Sequence, residues 1–340
     1  MLKSRGIQLQ VKEVITVEEK IKTICGSPDK PQTWIGQKEN GMYFRTASFK
    51  GNKSGTLPVR ILNFADVHIN YSNERDIEND EIMLTMQHRI WNGGGISIRA
   101  LKRAMEYGKG FDRTIVCGDV LDYMSFGAME LMDKYLWDID PNIIVTLGNH
   151  EWMRQMQTGV EDMTPLQERY AILEKYWRHD IYYTSEILGE KVMVIQMDNS
   201  RHCYWGIQVE KLERDIEIAR RNDYIILIFQ HDVLSTGRKK DSYVEALIEC
   251  DGNSHNFYTD AIGPHQKHEA TTKIYNLITR NADVIKGIFC GHLHSGYYTE
   301  IEASYKAADG SIHQAVIPQY VMEGLVYNNY VGHVMEITVE

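Results

Sequence analysis

From residue 58 onward, short apolar runs rich in β-branched residues alternate with longer amphipathic segments. In one such segment Ile98, Leu101 and Met105 repeat at helical spacing, and residues 208–219 show a similar mixture of charged and aliphatic positions. Strands that alternate with helices are typical of α/β architecture. The apolar runs predict core strands at residues 59–64, 114–117, 143–147, 191–197, 224–229 and 284–290.

The C-terminal part of the chain carries further strand patterns. Residues 315–317, 319–322 and 331–339 are apolar and β-branched, and they predict additional strands with antiparallel pairing as one option. The last strands of the fold therefore lie in sequence after all the helical segments.

Residues 1–57 show a separate pattern. Thr16 and Glu19 match a capping box at a helix start, and Gly26 marks the helix end. Asn40-Gly41 is typical of a hairpin turn between strand-like residues 33–35 and 42–46. We therefore predict two parts, a small α+β accessory segment of residues 1–57 packed on a core domain of residues 58–340.

Three connections between the core elements are unusually long. They span residues 69–95, 152–179 and 232–270. Because long loops in a compact domain usually serve as lids or binding loops, we expect substrate specificity to reside in them.

Composition and charge narrow the class of protein. The chain has 43% hydrophobic and 25% charged residues, which excludes disordered and collagen-like proteins. Its formal net charge of −10 argues against a dedicated nucleic-acid binder, which usually carries a basic stripe. No apolar stretch reaches the roughly 20 residues of a membrane helix, and no apolar segment follows residues 1–5. We therefore expect no membrane association, no cleaved secretion signal and a cytoplasmic location.

The five cysteines are scattered and form no Cys-x-x-Cys pair. This pattern excludes structural zinc fingers and thioredoxin-like chemistry, and it predicts reduced thiols. Cys117 and Cys290 lie inside apolar strand candidates, where we expect them to be buried.

Short polar motifs directly follow five of the predicted core strands. Because the carboxyl ends of strands in open α/β sheets point into the crevice where ligands bind, we expect these motifs to meet there. The motifs are Asp66-Val67-His68, Gly118-Asp119-Val120-Leu121-Asp122, Gly148-Asn149-His150-Glu151, the lone His231, and Gly291-His292-Leu293-His294.

The side chains of these motifs are suited to a pair of metal ions. Two metals about 3.5–4 Å apart need a carboxylate that presents one oxygen to each. Mixed imidazole and carboxylate ligands suit Mn, Fe, Zn or Co better than Ca or Mg. The two-residue spacing in Asp66-x-His68 and His292-x-His294 allows both side chains to face the same way from an extended segment.

In order and spacing the motifs resemble the calcineurin-like metallophosphoesterase superfamily, whose pattern is DxH, GDxxD, GNHE or GNHD, a lone His and GHxH. The resemblance covers about residues 58–295. It implies an α/β fold of mixed α+β character, a four-layer sandwich of two mixed β-sheets flanked by helices, here with the small N-terminal α+β appendage. The implied ligands are Asp66, His68, Asp119 and His294 for one metal, and Asp119, Asn149, His231 and His292 for the other.

The resemblance also implies a reaction, the hydrolysis of a phosphomonoester or phosphodiester by in-line attack of a metal-bound hydroxide. The cofactors would be two divalent or trivalent metal ions, with Mn, Fe and Zn foremost. His150 would be the general acid, worth about 10²–10⁴-fold in rate, and Asp122 its orienting partner. The partner would be a small phosphate ester, with nucleotides among the candidates.

Departures from subfamily patterns restrict the substrate class. Phosphoprotein phosphatases carry an arginine where Tyr123 stands, and purple acid phosphatases replace the residues at His68 and Asp122 by glycine and tyrosine. Both subfamilies are therefore disfavoured. Cyclic-nucleotide phosphodiesterases and nucleotide or phospholipid hydrolases stay open. Two alternatives also stay open, a Mn-dependent DNA nuclease of the repair type and a catalytically inactive metal-containing binding protein.

Several other polar features carry weaker signals. The run Gly93-Gly94-Gly95 lacks the lysine of a P-loop, and Gly237-Arg238-Lys239-Lys240 reads as a solvated charge run. We interpret His265 and His268 as surface residues. His202 is a secondary candidate for the lining of the substrate pocket.

Overall fold

The described part of the computed structural model contains twelve strands, six α-helices and one short π-helix, Asp133–Trp137. It describes residues 37–39, 42–53, 55, 57–77, 96–152, 166–236, 269–294, 296–325 and 332–340. The strands are β1 (Gln37–Glu39), β2 (Met42–Phe49), β3 (Val59–Phe64), β4 (Arg113–Val116), β5 (Ile144–Val145), β6 (Tyr183–Leu188), β7 (Val192–Met197), β8 (Ile225–Phe229), β9 (Ile285–Cys290), β10 (Tyr297–Lys306), β11 (Ile312–Val321) and β12 (Gly332–Val339). The helices are α1 (Glu74–Ile77), α2 (Ile96–Gly108), α3 (Phe126–Met132), α4 (Leu166–Tyr176), α5 (Gly206–Asn222) and α6 (Glu269–Thr279).

The strands form two six-stranded sheets. The first has the order β1-β2-β12-β3-β4-β5, and the second has the order β10-β11-β9-β8-β7-β6. In the first sheet β3, β4 and β5 are parallel, while β12 is antiparallel to β3 and parallel to β2. In the second sheet β7, β8, β9 and β11 are parallel, while β6 and β10 are antiparallel edges. Both sheets are therefore mixed, as predicted.

Three separate apolar cores show that the molecule has four layers. Ile61 and Leu227 meet in the core between the two sheets. Leu101 of α2 packs with Phe64 on the outer face of the first sheet. Leu212 of α5 packs in the core on the outer face of the second sheet. Since each core separates two layers, the order is helix, sheet, sheet, helix, and the predicted fold class is confirmed.

The core strands were predicted well and the edges less so. Strand β3 has the predicted bounds, and β4, β5, β7, β8 and β9 are displaced or shortened by one to three residues. Residues 315–322, predicted as two strands, lie almost entirely in the single strand β11, which includes Pro318. Strands β6 and β10 were missed, because Ser, Thr, Glu and Lys interrupt their apolar patterns. Residues 166–176 of a predicted long loop form helix α4.

The described part of the N-terminal segment extends the first sheet. Strands β1 and β2 pair in antiparallel fashion with Glu39 opposite Met42, which confirms a hairpin that turns at residues 40–41. Its first strand is residues 37–39, and the predicted strand at 33–35 lies outside the described residues. Strand β2 then pairs over its whole length with β12. The helix predicted from Thr16 lies outside the described residues, and the domain boundary at residue 57 stays a prediction.

Two expectations about the whole chain concern membranes and thiols. Among the helices that the structure describes, none has the length and apolar character needed to cross a lipid bilayer. Cys117 and Cys290 are free and buried, as predicted, and Cys203 is also free.

Candidate active site

The five motifs lie at one edge of the molecule, where strands of both sheets end. Asp66, Asp119 and Asn149 follow β3, β4 and β5 of the first sheet, while His231 and His292 follow β8 and β9 of the second. The backbone pairing continues past the strands, since Asp66 N donates to Gly118 O at 3.0 Å and Gly291 N donates to His231 O at 3.0 Å. Each sheet therefore holds its own motifs side by side, and His292 N donates to Asp66 Oδ1 at 3.0 Å from one sheet to the other.

The backbone of the motifs differs from the extended form assumed from the sequence. Five motif residues other than glycine have a left-handed backbone, with φ between 49° and 73°. Such conformations cost of order 1–3 kcal/mol each for residues other than glycine, and they cluster at functional sites. The two-residue spacing thus brings the side chains together through turns. The residues are Asp66, His68, Asp119, His292 and His294.

One group of potential ligands gathers around Asp66. Each residue of the group offers one ligand atom, and all these atoms lie within 4.8 Å of one another. His294 Nε2 is 3.5 Å from Asp66 Oδ1 and 3.1 Å from His68 Nε2. His68 Nε2 is also 3.9 Å from Asp119 Oδ2. These four residues are the set expected for the first metal.

A second group shares Asp119 with the first. His231 Nε2 is 3.3 Å from Asp119 Oδ2 and 3.1 Å from Asn149 Oδ1. His292 Nδ1 is 3.2 Å from His231 Nε2. The same oxygen of Asp119, Oδ2, therefore faces both groups, whereas the sequence argument assumed one oxygen for each metal.

The donor set fits a pair of cations. His231 Nδ1 donates to the carbonyl oxygen of Cys117 at 2.8 Å, so its Nε2 faces the other ligand atoms. Burial lowers the pKa of His292 to about 3 and that of His294 well below its usual value, which leaves neutral imidazoles with lone pairs. Burial also lowers the pKa of His231, but Asp119 outweighs this effect and raises it well above its usual value. The Asp119 carboxylate thus favours a positive charge beside it, and the nitrogen and oxygen atoms of the cluster suit Mn, Fe or Zn.

Gly148 and Glu151 build the framework around Asp119. A Cβ on Gly148 would overlap with the Asp119 carboxylate, so only glycine fits there. The buried Glu151 carboxylate accepts hydrogen bonds from the backbone N–H groups of Gly148, Asp119 and Leu121, at 2.6, 3.1 and 2.9 Å. Burial, together with Asp119, raises the pKa of Glu151 to about 7. The sequence motif contained this residue, but its structural role was missed.

His150 and Asp122 lie next to the first ligand group. His150 N donates to Asp119 Oδ1 at 2.9 Å, and His150 Nδ1 donates to the backbone carbonyl of Asp122 at 2.8 Å. The Asp122 carboxylate is 3.5 Å from His150 Nδ1 and only 3.2 Å from His68 Nδ1. Burial lowers the pKa of His150, but Asp119 and Asp122 raise it to about 9 overall. Asp122 thus contacts a potential ligand as well as the predicted acid.

Asn199 and Asp232 are further site residues that the sequence did not reveal. Asn199 follows β7, and its Oδ1 accepts hydrogen bonds from the backbone N–H groups of His231 and Asp232, at 3.1 and 2.9 Å. Asp232 directly follows the lone His231, and this position is the one feature of the sequence that could have identified Asp232 as a site residue. The candidates at residues 93–95, 237–240, His265 and His268 lie outside the described residues.

Comparison with known families matches residues 59–296 to the model of the calcineurin-like phosphoesterases. The match spans more than half of the chain and contains every motif described above. The chain therefore belongs to the calcineurin-like phosphoesterase family, whose members are metal-dependent phosphoester hydrolases. The resemblance inferred from the sequence is confirmed. No curated protein matches the sequence.

Solved structures show only distant similarity. A purple acid phosphatase from yellow lupin (Lupinus luteus) seeds is 12% identical with a TM-score of 0.42, over 87% of this chain and 46% of that chain. A dimetal phosphatase from Danio rerio is 11% identical with a TM-score of 0.42, over 80% and 89% of the two chains. A protein from Staphylococcus aureus that is provisionally described as a 5'-nucleotidase is 11% identical. Its TM-score is 0.35, over 78% of this chain and 55% of that chain. This chain thus spans less than half the length of the lupin protein, and the family assignment rests on residues 59–296 alone.

Proposed function

We propose that this chain is a two-metal phosphoesterase that hydrolyses a phosphomonoester or a phosphodiester. One observation carries the proposal. Side chains from five separate segments, that of Asp119 among them, meet at one place, and neighbouring nitrogen and oxygen atoms lie 3.1–3.9 Å apart. Family membership supports the reaction class.

The ligand sets follow from the two groups. Asp66, His68, Asp119 and His294 would hold one metal, and Asp119, Asn149, His231 and His292 the other. When bound, two such metals lower the pKa of a water nucleophile and neutralise charge on the phosphoryl oxygens. We expect Mn, Fe or Zn from the donor atoms.

His150 is the general acid in this proposal, and Asp122 its orienting residue. The backbone carbonyl of Asp122 fixes the proton on His150 Nδ1, so Nε2 is the atom that faces Asp119 Oδ2, at 3.8 Å. A proton on Nε2 is thereby placed next to the metal ligands, where it can pass to the departing alkoxide oxygen. Asp122 also holds His68 through Nδ1 and is itself held by Asn70 Nδ2 at 2.7 Å.

The family acts on phosphate esters, and we propose a small one as the substrate, with nucleotides among the candidates. The net charge of −10 makes nucleic acid a poor partner. A cytoplasmic location is part of the same proposal and rests on the sequence alone.

The test combines metal analysis with hydrolysis of p-nitrophenyl phosphate and bis-p-nitrophenyl phosphate in Mn²⁺. We expect two metals per chain. Asp119→Asn should lose metal and activity together, whereas His150→Gln should keep both metals and lose about 10²–10⁴-fold in kcat. His313→Ala, on the exposed part of β11, is the matched control and should change neither. A chain that binds no metal and is inert on both substrates would contradict the proposal. Two bound metals without turnover would instead favour the binding-protein alternative.

A further inference from the structure

A second pair of histidine and carboxylate lies beside the potential metal ligands, and the function proposed above does not use it. His202 Nδ1 donates to Asp232 Oδ2 at 2.6 Å. The Asp232 side chain is fully buried, whereas that of His202 is 19% exposed. The ring of His202 lies edge-on to the ring of His292, with centroids 5.8 Å apart. His202 is therefore the member of the pair that reaches solvent, next to a ligand of the second metal.

The loop that carries His202 is tied to the end of β8. Asn199 Oδ1 accepts from the N–H groups of His231 and Asp232, and Asn199 Nδ2 donates to Asp232 O at 3.0 Å. His202 N in turn donates to Asn199 O at 2.8 Å. A single asparagine thus fixes His202 relative to the second metal site. Such support is what holds a binding group in a productive geometry.

His202 also shares an unusual backbone with the potential ligands. Its φ is 57°, and five of the other seven non-glycine residues with positive φ in the described part are motif residues. The remaining two, Glu190 and Asp223, lie in the turn between β6 and β7 and at the end of α5. His202 therefore has the same strained backbone conformation as the motif residues beside it. Such strain is found mainly at functional sites.

An alternative role for His202, Asp232 and His292 is to bind a third metal ion. His202, Asp232 and His292 offer ligand atoms within 4.8 Å of one another, and Asp232 Oδ1 is 3.8 Å from His292 Nδ1. His202 Nδ1 and Asp232 Oδ2, however, are only 2.6 Å apart and share a proton in a hydrogen bond. That proton occupies the space between the two atoms that a metal ion bound to both would need. The geometry thus favours an imidazole that Asp232 orients, in the manner of the carboxylate that orients a catalytic histidine.

We propose that His202, oriented by Asp232, binds a phosphoryl oxygen of the substrate at the second metal site. The inference rests on the proposed function and adds a substrate-binding residue to it. The hydrogen bond from Nδ1 to Asp232 orients the ring, so Nε2 is the ring nitrogen that would hydrogen-bond to the phosphoryl group. His202 then contacts the phosphoryl group, while His150 on the other ligand group serves the leaving oxygen.

The experiment measures binding of inorganic phosphate to the Mn²⁺-loaded full chain by titration calorimetry. We expect His202→Ala to weaken phosphate binding about tenfold or more, since hydrogen bonds to charged groups are strong. His202→Gln keeps a donor and should restore part of the affinity. Asp232→Asn should weaken binding to a similar extent, and the double variant His202→Ala with Asp232→Asn should be no weaker than His202→Ala alone, because the pair acts as one unit. All variants should retain two metals per chain and a thermal transition close to that of wild type.

The controls separate the possible failures. His313→Ala, an exposed histidine on β11, should bind phosphate as the wild type does. Equal affinity in His202→Ala and this control would overturn the inference, as would a wild type that binds two metals and no phosphate. Loss of metal in His202→Ala, or a third metal in the wild type that is absent from Asp232→Asn, would assign the pair to a cation. A wild type inert on all esters would contradict the proposed function, yet the phosphate titration would still decide the role of His202.

Discussion

At the scale of single residues, Asp119 is the side chain on which both ligand groups depend. Its Oδ2 faces His68 at 3.9 Å and His231 at 3.3 Å, and its Oδ1 accepts a hydrogen bond from the backbone of His150 at 2.9 Å. Gly148 provides the space that its carboxylate occupies. Gly148 and the backbone N–H of His150 thus hold the Asp119 carboxylate in place between the two groups.

His333 allows a prediction about pH at the same scale, away from the metal ligands. Burial and the neighbouring Arg45 guanidinium lower the pKa of His333 to about 4 from 6.5, although Glu323 Oε2 lies 3.2 Å from its Nδ1. Because the folded-state pKa is depressed, the unfolded chain takes up the proton first as the pH falls. The free energy of unfolding should therefore decrease between about pH 6.5 and 4, by at most about 3 kcal/mol from this residue.

The measurement is urea unfolding of the chelator-treated chain across this range, for the wild type and His333→Gln. The variant should lose stability less steeply below pH 6.5. Other buried histidines contribute equally to both proteins and cancel in the difference. The exposed His313→Gln serves as a control with the wild-type slope, and parallel curves for the wild type and His333→Gln would show the prediction to be wrong.

The residue types of the candidate metal ligands were predictable from the sequence, because only a few kinds of side chain bind metal ions. Carboxylate, amide and imidazole side chains after apolar strands were sufficient to select the residues that the structure brings together. The role of Glu151 was not predictable, since a sequence does not show which buried carboxylate accepts backbone N–H groups. The left-handed backbone of Asp66 and His68 was missed for a similar reason, because tertiary contacts impose it.

At the scale of elements, β2 connects the N-terminal segment to the active-site edge. Arg45 on β2 forms an ion pair with Glu323 at 3.0 Å, and both side chains are largely buried. A Cβ on Gly296, two residues after His294, would overlap with the Arg45 guanidinium. The loop that carries His292 and His294 is therefore packed directly against an element that the sequence assigned to an accessory part.

A double-mutant cycle tests this contact. Gly296→Ala should displace the guanidinium from Glu323 and cost about 1–3 kcal/mol of stability, and it should weaken Mn²⁺ binding. In an Arg45→Ala background the same substitution should cost little, which gives a coupling energy within the usual 0.5–3 kcal/mol. Urea unfolding and metal titration provide the two readouts.

Gly206→Ala is the matched control for the cycle. A Cβ at Gly206 meets no atom within 4 Å, so this substitution should show no coupling to Arg45→Ala. Equal costs of Gly296→Ala in the two backgrounds would contradict the proposed link between β2 and the metal loop.

Elements differed in how far the sequence predicted them. The parallel core strands β3, β7, β8 and β9 are mostly apolar, with at most two polar residues each, and were located within a residue of their bounds. The edge strands β6 and β10 are half exposed and carry polar residues, so the same criterion missed them. The insertion of β12 between β2 and β3 joins strands that are far apart in sequence, and no local pattern reports such pairing.

At the scale of the whole molecule, the site spans the two sheets. Asp66, Asp119 and Asn149 come from the first sheet, and the histidines after β8 and β9 come from the second. A metal that binds only the folded chain shifts the folding equilibrium, by about 2.7 kcal/mol at a free concentration of 100 Kd. The bound metals should therefore hold the two sheets together at this edge.

Metal removal should lower the thermal stability accordingly. We expect the melting temperature to rise in Mn²⁺ relative to chelator for the wild type and for His150→Gln, which keeps every ligand. Asp119→Asn should show little or no rise. Identical melting temperatures of the wild type with and without Mn²⁺ would argue against a metal site between the sheets.

The most direct measurement is anomalous diffraction at the manganese edge from crystals of the Mn²⁺-loaded chain. Two peaks about 3.5–4 Å apart are expected, with Asp119 between them, Asp66, His68 and His294 around one and Asn149, His231 and His292 around the other. A single peak, or a cleft without metal whose histidines point away from Asp119, would contradict the two-metal site from which the proposed function is derived.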